Sequence, residues 1–187
     1  DTLPLDLCQN NISVLNNKIK FKFDAISIQF AFHYMMQSLE TFNNLFSVIN
    51  GFIKRGGIFF MTCFDGSVVS RELAKSGDRS ANGNRQIVIS VEGEPDKILF
   101  RIEQLYNDDD VAEFGRAINV FIYSIGEHVE YLVDFRKLNE HFKTHNFDLI
   151  ESKMFSEAAT RMHYLEKMNA SERHFSFLNR FAIFQKK

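Results

Sequence analysis

Two short segments hold the side chains best suited to chemistry. In Gln29-Phe30-Ala31-Phe32-His33-Tyr34 an amide, an imidazole and a phenol stand close together. Gln29 can donate and accept in one plane, which suits an amide-like or purine edge. His33 and Tyr34 add a donor, an acceptor and two flat faces on which a base can stack. The same residues also fit a strand end whose aromatics pack beneath a following helix, with His33 bonded to a backbone carbonyl. On residue chemistry alone that packing reading stands slightly ahead. The second segment is Glu127-His128-Val129-Glu130-Tyr131-Leu132-Val133. Glu130, beside apolar residues at an expected helix start, can serve simply as a charge matched to the helix dipole. Its functional reading is an acceptor for two adjacent N–H donors, such as N1–H and the exocyclic amine of guanine. Taken alone, the dipole reading wins.

Other combinations carry less. His141 and His145 are spaced for one helical face, yet zinc needs further ligands and none is evident. A solvated face is the expectation. Met35-Met36 reads as gap-filling in an aromatic core. No nucleophile elbow, zinc signature or Walker loop is present. Cys8 and Cys63 lie far apart without metal-ligand spacing, which makes a reduced intracellular protein the default.

The elements that must position these residues follow from the pattern. Phe23–Phe30 reads as a strand, and its carboxyl end is where open α/β sheets place their ligands. Leu39–Lys54 repeats apolar residues at helical spacing and is followed by Arg55-Gly56-Gly57, read as a helix stop. Ile58–Phe64 is an apolar run suited to a buried central strand. Strand, helix and strand make a βαβ unit with a right-handed crossover. Residues 86–92, 98–102 and 118–123 read as three strands of an antiparallel insertion. Val133–His145 is amphipathic, with Val133, Leu138 and Phe142 inward. Residues 146–151 and 180–185 read as closing strands, and Asp108-Asp109-Asp110 as a solvated turn. The expected fold is α/β with an antiparallel element.

Composition bounds the answer further. The 187 residues, 45% of them hydrophobic and 25% charged, suit one domain with a real core and exclude wholesale disorder. A formal net charge of -2 excludes a globally basic nucleic-acid binder, though not a local basic patch. No apolar run approaches the ~20 residues of a membrane span. The core draws on 21 Phe and no Trp. The chain opens on Asp1 without an initiator Met, so the expectation is a piece of a longer polypeptide.

Taken together, the segments resemble the mRNA cap guanine-N7 methyltransferases, within the class I S-adenosylmethionine-dependent superfamily. Residues 23–34 resemble the family's "FD…QF..HY" motif at a sheet strand, and Gly56-Gly57 the "GG" ahead of the next strand. Glu130-Tyr131-Leu132-Val133, followed by Leu138-Asn139-Glu140, resembles the cap-binding segment, and residues 181–186 the terminal strand. Met61–Gly66, with its "DG", is nearest the capping enzymes of large DNA viruses, of the African swine fever virus or poxvirus kind.

The resemblance implies the C-terminal portion of a Rossmann-like methyltransferase sheet spanning residues 1–187, with the cofactor-loop half upstream of residue 1. It implies S-adenosylmethionine as cofactor, contacted by Gln29, Tyr34 and Asp1. It implies a capped RNA 5′ end (GpppN) as substrate, with His33, Tyr34 and Glu130 at the guanine. Asn179 stands where the family usually has a cap-facing Tyr. No general base is implied, because guanine N7 already carries a free lone pair. Further capping domains or a stimulatory subunit are the implied partners. A cytoplasmic viral replication site or virion, or a nucleus for a cellular homologue, is the implied location. Two other readings remain open: a class I methyltransferase acting on a small molecule, and a non-catalytic methyltransferase-like capping subunit.

Overall fold

The computed structural model describes residues 6–9, 11–159 and 165–187. After a short helix α1 (Ile12–Lys18), the chain enters strand β1 (Phe23–Gln29). A 3-10 helix over Phe32–Gln37 leads to α2 (Leu39–Phe52), which opens on a reciprocal Ser38–Thr41 capping box. Such a box satisfies two otherwise orphaned N–H donors. The helical spacing of the sequence is realised: Phe42, Leu45, Phe46, Ile49 and Phe52 are buried.

Strand β2 (Ile53–Phe64) follows without a loop. The expected helix stop at Arg55-Gly56-Gly57 is therefore a correction, since these residues lie inside β2. Phe23 pairs with Ile53 and Ala25 with Ile58, so the residues between are extruded from the ladder. Gly56 takes φ +74°, and a Cβ on Gly57 would meet the Lys54 and Asp24 carbonyl oxygens at 2.9 and 3.1 Å. The glycines permit a bulge rather than a cap.

A helix α3 (Gly66–Lys75), absent from the sequence reading, leads into the insertion. Its strands β3 (Gln86–Val91), β4 (Glu94–Gln104), β5 (Ala117–Ile122) and β6 (Gly126–Tyr131) pair in that order, all antiparallel. Three were expected. The fourth corrects the second segment: Glu130 lies on a strand, not at a helix start. Gly126 at φ +96° reverses the chain tightly enough for β6 to return along β5. On β6 the residues alternate, with Glu130 buried and Val129 43% exposed.

The chain then forms α4 (Phe135–Thr144), β7 (Phe147–Met154), the single turn α5 (Phe155–Ala159), α6 (Ala170–Phe177) and β8 (Asn179–Lys186). The main sheet has the order β1-β2-β8-β7, with β1 and β2 parallel and β8 antiparallel to both its neighbours. Phe rings fill the core between this sheet and α2 and α4. Phe142 stacks on Phe184 at 4.1 Å and on Phe59 at 5.4 Å, and Met35 and Met36 complete the cluster. A second core joins Val69 and Leu73 of α3 to the inner face of the insertion.

Asp65 locks these parts together. Its Oδ1 accepts from the Ser67 and Val68 backbone N–H groups at the start of α3, and its Oδ2 accepts from Arg180 Nε at 2.6 Å. Burial alone would raise its carboxyl, but the bonds from Ser67, Arg180 and Val68 bring it below the usual range. At Gly66 a Cβ would lie 2.8 Å from the Val133 carbonyl oxygen, so only glycine allows this approach.

Candidate functional site

The carboxyl ends of β1 and β2 meet the insertion at a cleft of about 400 Å³. Phe30, His33, Tyr34, Cys63, Glu130 and Asn179 are among its walls. Four of the residues singled out from sequence thus converge here from three elements far apart in the chain. The chain is brought to the cleft by a strained residue. Phe30 sits at φ +52° with its ring 56% exposed, held by its N–H to the Thr62 carbonyl at 2.9 Å. A bulky residue in this left-handed region is costly, and such strain clusters at functional sites.

Glu130 is 4% exposed, and its two oxygens meet different histidines. Oε1 lies 2.8 Å from His128 Nε2, a hydrogen bond; Oε2 lies 3.3 Å from His33 Nδ1 without hydrogen-bond alignment. Burial raises the Glu130 carboxyl above its ordinary range, against the opposing pull of His128. Burial, with the nearby His128, drives His33 down to about 3, so it is a neutral imidazole at neutral pH. Both His33 ring nitrogens are buried without a hydrogen-bond partner among the described residues. Unpaired buried polar atoms are uncommon in native proteins and call for an explanation such as a ligand. The packing reading places His33 on a backbone carbonyl, and none of the described residues offers one.

Tyr34 sits edge-on to His33, 4.2 Å between ring centres, and is 37% exposed. Burial and the Glu130 charge raise its phenol, which keeps the O–H as a donor. Burial, with Glu130 and Asp65 nearby, also raises the Cys63 thiol well above its usual range. A neutral thiol is a poor nucleophile, so Cys63 is an unreactive part of the cleft wall.

Asn179 reaches the cleft wall, but its amide donates to the Phe175 and Ser176 carbonyls at 3.2 Å each. Gln29 does not line the cleft. It stands exposed at the end of β1, its Oε1 accepting from the Thr62 hydroxyl at 2.8 Å and its Nε2 donating to Ser27. Asp1 lies outside the described residues. His141 is drawn to Glu113 at 2.8 Å and His145 packs on Phe46. No group of three or more His, Cys, Asp or Glu among the described residues could hold a metal ion. A further apolar cleft of about 520 Å³ lies across β2 and β8, on the face opposite Phe59, with Phe60, Phe155 and Phe177 among its walls. It gathers none of these groups.

Sequence reasoning missed His128. The signal was present: His128 and Glu130 are two apart, so on a strand they share a face. Only the helical reading of the segment hid it.

Comparison with known proteins gives the family and the fold. Residues 3–181 match the family described as the mRNA (guanine-N(7))-methyltransferase domain. The chain is 29% identical over 144 residues to the "Probable mRNA-capping enzyme" of Acanthamoeba polyphaga mimivirus, covering 72% of this chain and 11% of that protein. It is 29% identical over 129 residues to the mRNA-capping enzyme of African swine fever virus, covering 67% and 14%. The chain therefore spans little more than a tenth of the length of these curated relatives. An S-adenosylmethionine-dependent methyltransferase from Clostridium acetobutylicum superposes with a TM-score of 0.52 at 15% identity, over 97% of this chain and 63% of its own. The CcbJ methyltransferase of Streptomyces caelestis gives 0.50 at 11%, over 97% and 62%. The fold is that of the class I, Rossmann-like methyltransferases, and the chain belongs to the mRNA (guanine-N(7))-methyltransferase domain family.

Proposed function

We propose that this chain presents the guanine of a capped RNA 5′ end for methylation at N7. The observation that carries the reading is Glu130: a buried carboxylate whose Oε2 has no aligned donor among the described residues, facing a cleft beside the His33–Tyr34 ring pair. Guanine presents N1–H and N2–H on one edge, and a carboxylate is acceptor-only. The match is specific, because adenine offers no N1–H. Tyr34 provides a flat, half-exposed face for the base, and Asn179 narrows the far wall.

The carboxyl end of β1 suits S-adenosylmethionine. Gln29 is exposed there, its amide plane fixed by Thr62 and Ser27, at the sheet position where α/β proteins bind nucleotides. When bound, the cofactor supplies a methyl group already activated on a sulfonium. N7 needs no base, so the side chains orient the guanine, hold it, and keep other nucleophiles out. Orientation of this kind can contribute ~7–11 kcal/mol to a barrier.

The open edge of β1, which pairs only with β2 among the described residues, supports a domain whose cofactor-loop half precedes residue 1. The small share of the viral relatives spanned by this chain supports accompanying capping domains. No helix of the described chain is long and apolar enough to cross a membrane.

Calorimetry on the full-length native protein tests the recognition step. GpppA should bind at least ~100-fold more tightly than ApppA, since two charge-assisted hydrogen bonds to the base edge are at stake. Equal affinity for the two dinucleotides would remove Glu130 from base recognition.

A further inference from the structure

Four groups on three elements face the Glu130 carboxyl: His128 from its own strand, His33 and Tyr34 from the 3-10 helix, and Cys63 from β2. Only one of them is bonded to it. His33 is close but misaligned, Tyr34 acts through its field, and Cys63 stays a thiol. His128 alone reaches Oε1 with hydrogen-bond geometry, at 2.8 Å.

We propose that His128 is the positioning residue of this site. Its Nε2–H holds Glu130 Oε1, fixes the plane of the carboxylate, and leaves Oε2 turned toward the bound base edge. The inference rests on the reading of Glu130 as the guanine acceptor and adds a residue that acts through it.

Three observations carry the assignment. First, His128 and Glu130 stand two apart on β6, paired across to Val120 and Ile118 of β5, so the ladder fixes both backbones. Second, a carboxylate can only accept, so the 2.8 Å contact requires the proton on Nε2. Nδ1 of His128 is buried and unpartnered among the described residues, which suits its lone pair better than a second N–H. Third, desolvation pushes Glu130 toward its neutral form, and the hydrogen bond from His128 opposes that push. A protonated Glu130 would set an O–H donor against the two N–H donors of guanine. Recognition requires the carboxylate, so the residue that favours it governs the acid limit of binding.

The test uses the full-length native protein and three variants. His128→Leu removes the donor at similar volume, whereas His128→Gln places an amide N–H near the position of Nε2. His128→Asn, whose amide is too short for Oε1, replaces leucine should that variant fail to fold. Methyl transfer to GpppA-RNA is followed from about pH 5.5 to 9, and S-adenosylmethionine affinity is measured alongside. His128→Leu should lower kcat/KM by about 10- to 100-fold at neutral pH, mainly through KM. Its acid limb should move to higher pH, because Glu130 then protonates more readily. His128→Gln should recover most of the loss, and cofactor affinity should be unchanged in every variant. An acid limb in His128→Leu that coincides with the wild type, or a glutamine variant as impaired as leucine, overturns the proposal. A fully active Glu130→Gln overturns the reading of the site and this inference together. An inactive Glu130→Gln beside an unmoved acid limb overturns the role of His128 alone.

Discussion

Replacing Glu130 with alanine is expected to lower kcat/KM for methyl transfer to GpppA-RNA by about 10²- to 10⁴-fold while the protein stays folded. The magnitude follows from two hydrogen bonds to a charged acceptor, each contributing ~1.5–3 kcal/mol, with tenfold in rate per ~1.4 kcal/mol. The fold should survive because Glu130 is a burden to it. Burial raises its carboxyl above the ordinary range, so the folded state gains little from this charge. Glu130→Gln should fail about as severely, since an amide NH₂ in place of one oxygen faces the donors of guanine. Rate measurements paired with thermal unfolding separate this from collapse. Near-normal turnover in either variant would take Glu130 out of the site.

The second large effect concerns the frame. Asp65→Ala should cost about 3–5 kcal/mol of folding stability, the usual result of removing one partner of a buried ion pair. Three side-chain contacts are lost together: the cap on α3, the bond from the Ser67 hydroxyl, and the bond from Arg180. Asp65→Asn can still cap the helix but cannot satisfy the Arg180 charge, so an intermediate loss is expected. The pH dependence has a definite sign. Asp65 titrates below its ordinary range when folded. Its stabilisation is therefore present above the unfolded carboxyl value of about 4 and disappears as pH falls through the folded one. Urea denaturation should show the gap between wild type and Asp65→Ala closing in acid. A gap that is small at neutral pH would mean that Asp65 is not the lock described above.

Much of this architecture was legible because the relevant patterns are local. The period of Phe42, Leu45, Phe46 and Ile49 announces α2, and the apolar run from Ile58 announces a buried strand. The QF..HY segment marks the carboxyl end of β1, which opens on the cleft. What was misread depended on partners distant in sequence. Gly56-Gly57 follows a helical pattern, so a helix stop was the local answer; only pairing with β1 reveals a bulge. Glu130 sits in a short strand whose other face is half exposed, and Val129-Glu130-Tyr131-Leu132-Val133 has too few residues to separate period two from a helix start. That error also concealed His128. Helix α3 escaped notice because little of it besides Val69 and Leu73 is buried, although Asp65 is a strong N-cap signal. The Phe surplus has an account, a stack of rings from β2, α4 and β8 that a ring of α2 meets edge-on.

The most direct test is the position of the methyl group. Full-length native protein would be incubated with GpppA-RNA and labelled S-adenosylmethionine, and the RNA digested to its cap dinucleotide. The label should appear in N7-methylguanosine, released as m7GpppA, and should be lost in parallel with Glu130→Ala. Label at another atom of the cap, on an internal nucleotide, or absent altogether would contradict the account.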